Sequence, residues 1–196
     1  MSDQANLLGH PREALMLARA GRRGLAEGES TACLADLHIL EARALAAVGD
    51  APAAAASVAR AEQVFARVNH DEEPAWAKFI DAPYLLGEAA HCFRDLKEPA
   101  ETERFATESA AGARRQGRAR RGALSEAALA VVDLDRSDVD AAASRATRVV
   151  ELSASVNSSR AIETVRDLQR RMKPYPKVPE VQRFNARAGE LLGLAA

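Results

Sequence analysis

A chain of 196 residues with 47% hydrophobic and 28% charged side chains has the make-up of a globular protein, large enough for a real core. Its formal net charge of −1 gives no overall pull toward nucleic acid or an anionic membrane, and no apolar run reaches the length of a membrane span. Aromatics are only 4% and β-branched residues are sparse, which argues against a sheet; abundant Ala suits close-packed helices.

The opening MSDQANLLGHPRE has no signal-peptide core, so a cytoplasmic protein is expected. The first predicted helix covers 11–26, with Pro11 in its first turn and Ala14, Leu15, Leu17, Ala18 and Leu25 inward. Ser30 or Thr31 caps a second helix over 31–48, which Gly49-Asp50 ends. A third helix covers 51–68. The loop Asn69 to Pro74 follows, with Glu72 and Glu73 expected in solvent. A short helical turn over 75–80 places Trp76 and Phe79. Asp81 caps the next helix, 82–95, and Pro99 opens its partner, 98–113. Helices over 119–135 and 138–154 come next. Asn157-Ser158-Ser159 reads as a break and cap before a helix that runs to Met172. The prolines at 174, 176 and 179 prevent a continuous helix, since each restrains its predecessor. A final helix covers 179–192. The whole, 1–196, is expected to be one all-α domain of about nine helices, with 174–196 a Pro-rich link and terminal capping helix.

The helix joints repeat. GHPREA from Gly9, GDAPAA from Gly49, LKEPAE from Leu96 and SDVDAA from Ser137 look like one turn used four times, at spacings of 40, 47 and 41 residues. Two helices per such period are the mark of an α-solenoid. The Gly-x-x-x-x-Ala spacing of the first two joints resembles the inter-helix turn of tetratricopeptide repeats. The units are longer than the usual ~34 residues, and the later joints lack Gly. The fold expected from the resemblance is a right-handed tetratricopeptide-like superhelix.

A second resemblance spans most of the chain. FIDAPYLLGEAAHCFRDLKEPAETERFATESA, VDLDRSDVDAAASRATRVVELSASVNSSRAIETVRDLQRRM and VPEVQRFNARAGELL are similar to the C-terminal region of actinobacterial regulators of the XRE-type helix-turn-helix family. Ser159-Arg160, Val165-Arg166-Asp167-Leu168 and the Pro-rich link carry it most specifically. In that family a DNA-binding domain precedes a tetratricopeptide-like array. No helix-turn-helix precedes Pro11, so the expectation is a sensor region without its reader.

The residues offer no catalytic constellation. His10, His38, His70 and His91 are scattered, and there is no P-loop, nucleophile elbow, dinucleotide fingerprint or metal-ligand spacing. Cys33 and Cys92 read as two buried reduced thiols. No enzyme activity, cofactor or metal is expected. In a solenoid the first helix of each hairpin lines the concave face. Tyr84, Glu88, His91 and Arg94, with His38 and Arg43 from the preceding hairpin and Trp76 nearby, are the candidate ligand- or partner-binding residues. Core packing for the aromatics and solvent for the charges is the plainer alternative. Arg114, Arg115, Arg118, Arg120 and Arg121 form the sharpest charge feature, a candidate patch for an anion or an acidic partner. The alternative there is favourable placement at a helix C-terminus, with pairing to Glu101, Glu103 and Glu108. The partner expected is a protein, a peptide or a small-molecule effector, or a second copy in a homodimer; neither membrane nor direct nucleic-acid binding is expected. A structural scaffold that senses nothing is the competing function.

Overall fold

The computed structural model describes residues 1–26, 28–156 and 158–193. All regular structure among the described residues is helical, in ten helices. They are α1 (Ser2–Leu7), α2 (Pro11–Gly24), α3 (Thr31–Ala47), α4 (Ala51–Phe65), α5 (Ala82–Asp95), α6 (Pro99–Arg115), α7 (Ala119–Asp135), α8 (Val139–Ala154), α9 (Ser159–Met172) and α10 (Pro179–Leu192).

Five of these helices start at short polar side chains that accept from a free first-turn amide. Ser30 accepts from the Cys33 N–H at 3.0 Å, Asp50 from Ala53 at 3.2 Å, Asp81 from Tyr84 at 3.0 Å, Asp138 from Ala141 at 3.1 Å and Ser158 from Ala161 at 3.4 Å. Asn157, expected in the break before α9, lies outside the described residues. Helix α1 is absent from the sequence-based reading because six residues carry too little periodicity. It is held by tertiary contacts: Ala5 is buried, and the buried Ser2 hydroxyl donates to the Ala14 carbonyl at 2.8 Å. The stretch 75–80 is a turn rather than a helix, anchored by buried Ala77 and Ile80.

Five helix ends are built alike. A left-handed residue stands at Gly9 (φ 82°), Gly49 (86°), Lys97 (60°), Gly117 (65°) and Ser137 (63°). The next residue sends its N–H back to the carbonyl five positions earlier: His10 to Ala5, Asp50 to Leu45, Glu98 to Phe93, Arg118 to Ala113 and Asp138 to Asp133, at 2.9 to 3.0 Å. This is the Schellman closure, which satisfies carbonyls that the helix end would otherwise orphan. The helix restarts one residue later in every case. Four of the five are the joints the sequence shows as one turn. The fifth, at Gly117, is obscured there by its five neighbouring arginines.

The chain divides into two compact units, residues 1–98 and 99–196. In the first, α3 is central and packs on α2, α4 and α5, while α1 lies on α2 and α3. In the second, α7 packs on α6 and α8, α10 lies on α8, and α9 contacts α7, α8 and α10. Its core gathers Ala142, Ala146 and Val149 of α8, Val165 and Leu168 of α9, and Val181 and Phe184 of α10. The final helix is thus part of a packed core, with Phe184 wholly buried. Residues 173–178 stay non-helical, as their prolines require.

Candidate ligand-binding site

Of the seven residues expected on a concave face, all in the first unit, three are buried. Arg43 is 4% exposed, Glu88 1% and His91 4%. The Arg43 guanidinium donates to Glu88 Oε2 at 2.7 Å and to Asp3 Oδ1 at 2.8 Å, which ties α1, α3 and α5 together. Burial opposes the Arg43 charge, but Glu88 and then Asp3 outweigh it and raise its pKa. Asp3 was not among the expected residues, because nothing in its local sequence signals a partner forty positions away.

Tyr84 donates its hydroxyl to Asp36 Oδ1 at 2.9 Å. Burial pushes the Asp36 carboxyl up to about 7; the Tyr84 hydrogen bond works against that rise without reversing it. His38 Nδ1 lies 2.8 Å from Arg22 Nη1. An arginine can only donate, so His38 accepts there as a neutral imidazole. Burial, followed by the Arg22 charge, lowers its pKa. Arg94 is partly exposed; it donates to His91 Nδ1 at 3.1 Å and to Asp95 at 2.7 Å. Trp76 stands apart, 54% exposed on the turn between α4 and α5, next to an equally exposed Phe79 that meets Tyr84 edge-on at 5.5 Å. The structure therefore pairs Arg43 with Glu88 and His91 with Arg94, and leaves Trp76 exposed.

The loop acids divide. Glu73, expected in solvent, is 7% exposed. Its carboxylate accepts from the Ser30 hydroxyl at 2.5 Å and from the Ala32 N–H at 2.9 Å, and so completes the start of α3. The correction is physical: two first-turn donors in a buried corner bind a carboxylate better than water does. Of the two thiols, Cys92 is buried and lies 3.5 Å from the Ala42 carbonyl, and burial pushes its pKa up to about 12; Cys33 is only half-buried.

The basic run of the second unit is split by the helix restart at α7. Arg114 and Arg115 end α6 and are exposed, Arg118 stands at the N-cap of α7, Arg120 is exposed, and Arg121 turns inward to 7% exposure. Arg121 thus leaves the patch. Two of the three acids expected to neutralise the run are engaged elsewhere: Glu101 with Arg104 at 2.8 Å and Glu103 with Arg136 at 2.6 Å.

A cavity of about 230 Å³ opens where α6 ends, α7 begins and α8 passes. Arg114, Arg118 and Arg148 line it with Glu126, over a floor of alanines, Gly122 and Leu152. Arg148 and Leu152 were not expected; they are four positions apart on α8, which puts them on one face, but only packing against α7 aims that face here. Glu126 is 5% exposed and accepts from Arg145 at 3.1 Å and Arg148 at 3.3 Å.

Among the described residues no group of three His, Cys, Asp or Glu side chains is placed to hold a metal ion, and no helix is long and apolar enough to cross a membrane. The chain matches no family model, no curated protein and no solved structure.

Proposed function

We propose that this chain is a non-enzymatic sensor and interaction module of a transcriptional regulator, a tetratricopeptide-like α-solenoid that binds a peptide, a small molecule or a protein partner. The observation that carries the reading is the single Schellman joint used at Gly9, Gly49, Lys97, Gly117 and Ser137. Recurrence of one joint along a helical chain is how repeat arrays are assembled. The cavity beside Gly117 supports the binding role, since a concave site with a few convergent charges is the usual form of a ligand site. Arg43 and Glu88 act in this reading as a positioning pair that fixes α3 against α5. Ligand binding works by biasing the array between two arrangements. The resemblance to the XRE-type regulators supplies the regulatory context.

Native mass spectrometry of the purified chain, compared with denaturing conditions, tests this. A copurified small molecule or peptide, lost together with thermal stability on removal, is the expected result. A dimer free of adducts would replace the proposal by the second reading, a scaffold or homodimerisation module. One observation favours that second reading: Leu7, Leu8 and Met16 of the α1–α2 hairpin are 52%, 75% and 65% exposed. In that case Leu8→Lys with Met16→Lys makes the dimer dissociate.

A further inference from the structure

We infer that this chain docks on a second copy of itself through two different surfaces: the proline-rich link 173–179 of one molecule lies on the Trp76–Phe79 edge of the next. The contact is independent of the sensor reading above, and it uses neither Leu8 nor Met16 of the α1–α2 hairpin.

The receiving edge is built on a fixed turn. Ala77 donates its N–H to the Pro74 carbonyl at 2.8 Å, and Ile80 donates to Ala77 at 2.9 Å. Glu73, Ala77 and Ile80 are buried and anchor the turn, while Trp76 and Phe79 are each 54% exposed. Phe79 meets Tyr84 edge-on, and the Tyr84 hydroxyl is held by Asp36. Large aromatic rings held in solvent suit the anchor positions of protein contacts, because they offer much area and lose little side-chain entropy on docking. Acid flanks them. Asp71 and Glu72 are exposed, and Lys78 is the only Lys or Arg within 69–81, against four acids.

The link between α9 and α10 is the complement. Lys173, Pro174, Tyr175, Pro176 and Lys177 are all exposed. The link is not helical, yet its shape is fixed: the Tyr175 N–H donates to the Met172 carbonyl at 3.0 Å, and Gln182 Nε2 donates to the Pro176 carbonyl at 3.0 Å. Proline rings pack on aromatic faces, and their locked φ leaves little backbone freedom to lose. Lys173 and Lys177 bracket the prolines as Asp71 and Glu72 flank the aromatics. Arg170 and Arg171 beside the link are taken by Asp167, whereas neither lysine has an ion-pair partner among the described residues.

Long-range charge points the same way. Residues 1–98 carry 10 Lys or Arg against 15 Asp or Glu, and residues 99–196 carry 17 against 13. Between two copies, like units repel and unlike units attract, which favours the first unit of one molecule meeting the second unit of the other. A contact of this kind is heterologous, so one copy can lose its link and another its aromatic edge and the two still dock.

The patch is small, so a dissociation constant of about 10–500 µM is expected. Sedimentation equilibrium of the full chain is run from about 10 µM to 1 mM, with fluorescence at the same concentrations. Trp76 is the single tryptophan, so its emission reports this edge alone. The weight-average mass is expected to rise with concentration while the emission moves to shorter wavelength in step. Trp76→Ala, and separately Lys173→Glu with Lys177→Glu, each weaken association at least about tenfold, and the exposure of all three side chains leaves the fold intact. Mixed in equal amounts, the two variants associate again, because the intact link of one meets the intact Trp76 of the other. Leu8→Lys with Met16→Lys keeps the association. The inference is overturned by a chain that stays monomeric with its emission unmoved, which leaves the aromatic edge to another protein. It is overturned equally by mass growth without an emission change, by undiminished association of either variant, by a mixture no more associated than its components, or by loss of association in the Leu8, Met16 variant.

Discussion

In residues 1–98, the contact of α3 with α5 buries an ion pair; in residues 99–196, the contact of α8 with α10 buries aliphatic side chains and one phenylalanine. The first contact buries Arg43 with Glu88 and sets Tyr84 on Asp36. The second buries Ala142, Ala146 and Val149 against Val181 and Phe184. Both units are built from Ala-rich helices that approach closely and bury little area per residue. An apolar contact gains from any good packing, whereas a buried ion pair is favourable in one register and costly in every other. The α3–α5 contact thus depends on specific partners, and the α8–α10 contact on volume.

The strongest way to break that comparison is to remove one charge. Arg43→Met removes the guanidinium that faces the buried Glu88 carboxylate, and a loss of about 3–5 kcal/mol in urea unfolding is expected. Arg43→Met with Glu88→Leu recovers most of it, because the charge left behind, on Asp3, is part-exposed and solvated. If the single variant cost under 1 kcal/mol, the pair would be dispensable and the contrast between the two contacts would collapse. The matching change in the second unit is Phe184→Ala, expected to cost about 3 kcal/mol by calorimetry, with the depth set by how far α8 and α10 close the void.

A subtler contrast is pH dependence. The folded Asp36 pKa, about 7, lies above the ordinary value of about 3.9 for an unfolded chain. Between these values the folded state binds more protons, so stability falls as pH rises from about 4 to about 7 and levels off above. Asp36→Asn keeps an acceptor for Tyr84 and removes the titration. The difference between wild type and variant, measured at several pH values, is expected to grow across that window in the variant's favour. A constant difference would place the Asp36 pKa in the ordinary range.

The smallest effect tests what the units share. Lys97 and Ser137 adopt positive φ with a side chain attached, at about 1–2 kcal/mol of local cost. Ser137→Gly relieves that cost but gains unfolded-state entropy, for a net stabilisation of about 0.5 kcal/mol. The same change at Lys97 should match it. Unequal results would mean that the two joints, alike in hydrogen bonding, differ in what surrounds them.

Much of the helical layout is legible in the residues alone. Ser30, Asp50, Asp81, Asp138 and Ser158 mark starts, because a cap is a contact within three residues. The joints at Gly9, Gly49, Leu96 and Ser137 are visible for the same reason: the closing hydrogen bonds span five positions. The candidate binding residues are less legible. His38, Arg43, Glu88, His91 and Arg94 were picked out as polar residues of adjacent first helices, yet Arg43, Glu88 and His91 are buried. A polar residue on an inward stripe looks the same whether it meets a ligand or an ion partner on another helix. Helical phase orients a side chain but does not say what stands opposite.

Sequence by itself determined an all-helical chain, its caps, its repeated joints and a basic run beside one of them, since all of these are local in their physics. Tertiary structure alone decided that Asp3 reaches Arg43, that Glu73 caps α3 from across a loop, that Arg121 turns inward while Arg114 and Arg118 face a cavity, and that Arg148 and Leu152 join them. Each of those is a contact between distant parts of the chain. Its energy depends on burial and on the charge of the neighbour, and neither quantity exists until the helices have packed.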